Sequence, residues 1–313
     1  MQFGDVVRVG VGDAPPEVAS NRFCHSFRGI APYVMTDFAR TLGWSAPALW
    51  AARDYLRTVV TDTAPTTPVS INTSGAQGFD PTVLYDPTAA QQSIQPMRWA
   101  EAIDCVFKPE DANDQSHTSP SDGPRYYLKS YLRDELRADV QQLPDRLLFQ
   151  HNPASPSAGP PPEKIDAKLT KVWIGSEGNV TPLHFDHCHG LVAQVVGAKR
   201  VIMYPPSESS KLHPFPSGSG GAQRASRVDL TAMMRPGTTA DAENKEREMY
   251  PLAWEAQGVA CDIAAGEALY IPPFWWHHIT ALDDNVSVLM PFDLSPYEQR
   301  TADRPWCRPE WGM

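Results

Sequence analysis

The stretch Thr181–Gly190 reads TPLHFDHCHG and holds three of the chain's nine histidines, with an aspartate and a cysteine among them. On a strand, residues i and i+2 point to one face. His184 and Asp186 therefore offer an imidazole and a carboxylate to the same side, while Phe185 faces the other. A third donor is available at YIPPFWWHHITAL, where His277 follows an apolar run and two tryptophans. Two imidazoles and one carboxylate on one face suit Fe(II) with open positions for oxygen chemistry. Zinc is the rival, but a closed structural zinc site wants four ligands, usually thiolates. His187, Cys188 and His189 alternate in face and lack that spacing.

Lys199 follows in GAKRVIMYPP. By itself it reads as a solvated turn lysine. The run around it is apolar, however, and a buried ammonium needs an anion. A dicarboxylate that chelates the metal at one end would bring that anion at its other end.

The chain of 313 residues is 42% apolar, enough for a sizeable core, and carries a formal charge of −10. An acidic surface disfavours a nucleic-acid partner, which needs clustered Lys and Arg. Cys24, Cys105, Cys188, Cys261 and Cys307 are scattered without a CxxC pair and do not read as a disulfide framework. No apolar run suits a signal peptide or a membrane span. The expectation is a soluble protein of a reducing, cytoplasmic compartment.

Proline, 31 residues, punctuates the chain. The Pro/Ser/Ala/Gly-rich segment 151–164 reads as a linker. It divides an N-terminal portion, 1–150, from a core at 165–295 with a polar insert at 207–250 and a short tail at 296–313. In the first portion, MTDFARTLGW, SAPALWAARDYLRTVV (with Ser45 as its cap), MRWAEAIDCVF and DELRADVQQL show helical spacing. PTTPVSINT and RYYLKSYL read as strands. Beyond the linker, LTKVWIG, GLVAQVV, KRVIMYP, EALYIPP and VSVLMPF are short apolar runs bounded by turn residues, and Gly197 suggests a tight hairpin between two of them. Short strands in that number predict a sandwich or barrel.

WIGSEGNVTPLHFDHCHGLVAQVVGAKRVIMYPP and GEALYIPPFWWHHI together, in this order, resemble the JmjC/cupin-like Fe(II)- and 2-oxoglutarate-dependent oxygenases, and most of all asparaginyl hydroxylases of the factor-inhibiting-HIF type. The resemblance is dense over 171–206 and 266–291, and YYLKSYL extends it. It implies a mainly β fold with flanking helices, the double-stranded β-helix or cupin jelly roll. It implies that His184, Asp186 and His277 hold Fe(II), and that Lys199, helped by Thr181, takes the distal carboxylate of 2-oxoglutarate. Tyr127 matches a tyrosine on that same carboxylate, with Tyr126 as the alternative register. Trp276 or Trp275 is expected to wall the cosubstrate pocket, and the other to be core. Arg224 falls near a substrate-contacting arginine.

Departures are also visible. Gly190 and Pro291 stand where relatives carry side-chain amides near the cosubstrate, and the relatives' C-terminal dimerisation helices have no match, which leaves the oligomeric state open. His278 has the wrong strand parity for a ligand and reads as structural. Cys188 shares the ligands' parity. His187 and His189 could line the substrate entrance, but both read rather as exposed on the loop leaving the strand. The implied activity is hydroxylation of a C–H bond in a protein or peptide side chain with release of succinate and CO2, using Fe(II), O2 and 2-oxoglutarate. The alternatives are the same chemistry on a small molecule, N-demethylation, or a non-catalytic metal-binding cupin module.

Overall fold

The computed structural model describes residues 3–12, 15–72, 94–107, 124–141, 143–149, 165–216, 223–231 and 240–301. The linker segment 151–164, the end of the tail and Cys307 lie outside them. Six strands precede the core: β1 (Phe3–Asp5), β2 (Val7–Val9), β3 (Tyr33–Met35), β4 (Thr67–Asn72), β5 (Ile94–Met97) and β6 (Arg125–Tyr131). The core itself runs β7 (Lys171–Gly175), β8 (Val180–Phe185), β9 (His189–Val196), β10 (Lys199–Tyr204), β11 (Gly258–Ile263), β12 (Ala268–Ile271), β13 (Trp276–Ala281) and β14 (Asn285–Phe292).

These strands form two sheets. The smaller has the order β1-β11-β10-β13-β8 and the larger β2-β3-β12-β9-β14-β7-β6-β4-β5. Strands of the core that pair are far apart in sequence, and the chain passes back and forth between the sheets. This is the double-stranded β-helix, with the larger sheet widened by N-terminal strands at both edges.

The alternation of apolar residues explains the layering. Val172, Ile174, Leu191, Ala193, Val286 and Val288 face outward from the larger sheet, where helices bearing Trp99, Ile103 and Leu136 cover them. Val192, Leu269, Val201, Met203 and Ile279 meet between the sheets. Leu183, Phe185, Ile202, Tyr204 and Trp276 face outward from the smaller sheet, and Leu212, Val228 and Leu230 of the insert cover them. The described parts of the insert are thus a third layer, followed by a helix at Ala240–Met249.

Three local expectations are corrected. Gly197, with φ 69°, does not make a hairpin. β9 belongs to the larger sheet and β10 to the smaller, so the glycine turns a crossover between layers. A Cβ there would come within 2.5 Å of the Asp284 carbonyl oxygen, which is why glycine fits. The helix expected after Ser45 is two helices, Ala46–Leu49 and Arg53–Val59, and the Ser45 side chain makes no cap hydrogen bond. Buried Trp50 donates Nε1–H to Asp139 at 2.7 Å, a tertiary contact at the break. The helix at Trp99–Val106 does form, with the Glu101 carboxylate accepting the Arg98 N–H at 3.1 Å. Among the described residues, no helix is long and apolar enough to cross a membrane.

Candidate metal centre

β8 and β13 are antiparallel neighbours, and their register sets His184 directly against His277. The two imidazole centroids are 4.2 Å apart. Asp186 leaves the end of β8 on the same side, its Oδ2 3.9 Å from His277 Nε2. One ligand atom from each of the three residues lies within 4.8 Å of the others.

The tautomers follow from the hydrogen bonds. His184 Nδ1 sits 2.8 Å from the Pro182 carbonyl oxygen, and His277 Nδ1 sits 3.0 Å from that of Trp275. A carbonyl only accepts, so each Nδ1 carries the proton and donates it. With Nδ1 donating to the backbone, Nε2 is the ring nitrogen left on each imidazole to serve as a ligand. Burial, then the neighbouring His277, pushes His184 down to about 3. Burial would raise the Asp186 carboxyl, but His184, His277 and Arg224 outweigh it and hold it below its usual range. A neutral His184 imidazole beside an ionised Asp186 carboxylate suits a cation.

Backbone geometry fixes the third donor. Phe274 adopts φ 67° after the Pro272–Pro273 pair. Its N–H donates to the Asp186 carbonyl oxygen at 2.8 Å, tying the end of β8 to the turn before β13. Arg224 Nη1 holds Asp186 Oδ1 at 3.2 Å. That arginine arrives because Ala225 bridges to His184 and Ser226 N–H donates to the Leu183 carbonyl at 2.8 Å, covering the free edge of β8.

Below the triad lie the groups expected at a cosubstrate's far end. Lys199 is 2% exposed and donates from Nζ to Ser287 Oγ at 2.7 Å. Ser287 in turn donates to Gln194 Oε1 at 2.8 Å. Lys199 Nζ is 5.9 Å from the Tyr127 ring centroid and 5.8 Å from that of Trp173. Burial, then the charge of Lys129, pushes Lys199 down to about 7. Tyr127 is buried and its phenol hydrogen-bonds Thr181. The structure thus brings Lys199, Thr181 and Tyr127 together. Tyr126 points to the other face of β6, towards the helical layer.

Other candidates are placed elsewhere. Trp276 faces the outer layer, where Nε1 donates to Ser209 Oγ at 2.7 Å and the ring meets Phe185 edge-on, so it is not brought to the pocket. Trp275 packs with the residues between the sheets. His278 also faces outward, its Nε2 3.1 Å from Thr231 Oγ1. His187 is exposed and lies against Phe185, whereas Cys188 is part-buried, its thiol pushed up to about 11 by burial and then Asp186.

His189 corrects the loop expectation. It is fully buried, because β9 begins at this residue and its side chain points into the protein. Tyr270 OH accepts the Gly29 N–H at 2.9 Å, so it donates to His189 Nδ1 at 2.8 Å. His189 Nε2 then faces Glu298 Oε1 at 3.3 Å, and Glu298 takes two hydrogen bonds from Arg28, each 2.7 Å. Gly190 and Pro291, the two positions without an amide, are register partners across β9 and β14.

Sequence reasoning missed Lys129, Trp173, Ser287 and Gln194. Their shared face is set by which strands pair, and no local pattern reveals that.

A family model described as a cupin-like domain matches residues 25–296. "Lysine-specific demethylase JMJ30" of Arabidopsis thaliana is 34% identical over 37% of this chain and 24% of its own. "Lysine-specific demethylase 8" of Xenopus tropicalis is 33% identical over 39% of this chain and 25% of its own. "Bifunctional peptidase and (3S)-lysyl hydroxylase JMJD7" of Homo sapiens is 30% identical over 49% of each chain. The matched stretches thus span from a quarter to a half of these curated relatives. With its jelly roll and its His-Asp-His triad, the chain belongs to the cupin-like domain family.

Proposed function

We propose that the protein is an Fe(II)- and 2-oxoglutarate-dependent dioxygenase that hydroxylates a C–H bond of a protein side chain. One observation carries the reading: a triad whose ligand atoms converge, with each imidazole oriented by an Nδ1–H···O=C bond, shares the protein interior with a buried lysine. The donor set of two nitrogens and one carboxylate fits Fe(II), though manganese, nickel or zinc can take the same ligands. When bound, Fe(II) with O2 and 2-oxoglutarate supplies oxidation of C–H to C–OH, with release of succinate and CO2.

The chain's own residues then have distinct tasks. His184, Asp186 and His277 hold the metal on one face. Arg224 keeps Asp186 Oδ1 occupied, so that Oδ2 is the free donor. Lys199, Thr181 and Tyr127 take the distal carboxylate of 2-oxoglutarate, which fixes the orientation of its 2-oxoacid end. The apolar residues between the sheets exclude water from the back of the site.

A protein target is supported by the relatives, named for lysine demethylation and lysyl hydroxylation, and by the motif likeness to asparaginyl hydroxylases. Demethylation is the same oxidation at a carbon attached to nitrogen, and formaldehyde release distinguishes it. The test is succinate formation by iron-loaded protein on a peptide panel, with mass spectrometry of the peptides. Turnover with a +16 Da product that Asp186→Ala abolishes is expected. Equal succinate from wild type and Asp186→Ala across the panel overturns the reading.

A further inference from the structure

The cosubstrate pocket holds a second ammonium that no motif assigns. Lys129 lies on β6 two residues after Tyr127, so both side chains face the interior. Register places Lys129 opposite Trp173, Trp173 opposite Ser287, and Ser287 opposite Gln194. These four residues form one row across β6, β7, β14 and β9. Lys199 reaches the same row from the facing sheet, through its hydrogen bond to Ser287.

The two ammonium groups share their surroundings. Lys129 Nζ is 4.6 Å from the Tyr127 ring centroid and 5.4 Å from that of Trp173, the rings that also receive Lys199. Among the described residues, Lys129 makes no hydrogen bond or ion pair, and ring faces are its only close partners. Asp186, at the triad, attracts it from a distance, and Lys171 repels it. A half-buried and a buried cation sharing the same two rings, with Ser287 accepting from Lys199 alone, repel each other unless an anion joins them.

We propose that Lys129 is a second carboxylate-binding residue, which clasps the distal carboxylate of 2-oxoglutarate together with Lys199. This rests on the function proposed above. β6 is not one of the eight jelly-roll strands, so the widened sheet contributes directly to cosubstrate recognition.

The test uses full-length protein loaded with Mn(II), which binds the cosubstrate without turnover. Calorimetry measures 2-oxoglutarate binding to wild type, Lys129→Met, Lys129→Gln and Lys129→Arg, with Mn(II) affinity and circular dichroism confirming an intact centre and fold. Loss of a charge-assisted hydrogen bond weakens binding roughly 10- to 100-fold. That loss is expected for Met and Gln, with Arg recovering most of the affinity. 2-Oxobutyrate chelates alike but lacks the distal carboxylate, and its affinity is expected to change little in the same variants. Wild-type 2-oxoglutarate affinity in Lys129→Met and Lys129→Gln overturns the inference, as does an equal loss for both ligands. A wild-type protein that binds Mn(II) but no 2-oxoglutarate overturns the function proposed above before Lys129 is reached.

Discussion

His184 and His277 each give their Nδ1 proton to the carbonyl two residues earlier in the chain, at 2.8 and 3.0 Å, and so turn the same nitrogen toward the same point. The two strands run antiparallel, so one local rule applied twice makes a convergent pair. Because the constraint is local, the centre is preformed.

The first prediction concerns the metal. His184→Ala and His277→Ala are expected to lose Mn(II) or Fe(II) binding by at least 100-fold while retaining the fold. Asp186→Asn keeps an oxygen donor but loses the charge, and weakens binding less than Asp186→Ala. Metal titration followed by calorimetry measures both; undiminished affinity in either histidine variant removes that residue from the ligand set.

Ser287 is the hydrogen-bond acceptor for Lys199. Ser287→Ala leaves the ammonium to its ring contacts and costs about 1 kcal/mol of positioning. The expected result is a rise of roughly fivefold in the KM for 2-oxoglutarate with kcat nearly unchanged. Steady-state kinetics at saturating substrate separate the two constants, and a fall in kcat alone contradicts the assignment.

Burial, with Asp186 opposing it and Lys171 adding to it, pushes Lys129 down to about 8, and Lys199 stands at about 7. Unfolded lysines titrate near ~10.4. Between about pH 7 and pH 10 the unfolded chain therefore binds more protons than the folded one, and stability rises with pH. The melting temperature of metal-free protein is expected to climb from pH 7 to pH 9. Lys199→Met flattens the climb. At pH 8, anion binding restores charge to these lysines, so 2-oxoglutarate binding takes up protons, which calorimetry in buffers of different ionisation enthalpy detects.

At the opposite end, burial would raise the Glu298 carboxyl, but the Arg28 hydrogen bonds hold it well below the carboxylate range. A depressed carboxyl stabilises above its unfolded pKa and loses that contribution as the pH falls. His189, lowered mainly by burial, adds to the loss, since charging it costs more in the folded state. Side chains 11% and 16% exposed make this a mostly buried pair, and Glu298→Gln is expected to cost about 3 kcal/mol at pH 7. Urea denaturation at pH 7 and pH 3 measures it, with a smaller difference between the variant and wild type at pH 3, below the unfolded carboxyl pKa.

The strands and the triad were legible because their signals are local. LTKVWIG, KRVIMYP and VSVLMPF carry their β character in their own composition, and His184 and Asp186 share a face by simple alternation. The pairing was not legible. Gly197 has the composition of a hairpin turn, yet β9 and β10 do not pair, because the chain crosses there from the larger sheet to the smaller. His189 was misplaced for a related reason: the turn at 186–188 resets the phase between β8 and β9. Ser45–Val60 has one helical period, but the demands of Trp50 and Asp139 divide it. Lys129 reads as an ordinary strand lysine until β6 is known to join β7.

The covered edge of β8 bears on how a polypeptide could reach the iron. A segment that docked by extending the smaller sheet would have to displace Ala225 and Ser226 from Leu183 and His184. Backbone recognition at that border is already satisfied within the chain. Under the function proposed above, a peptide substrate is therefore not expected to bind as an added strand at that border.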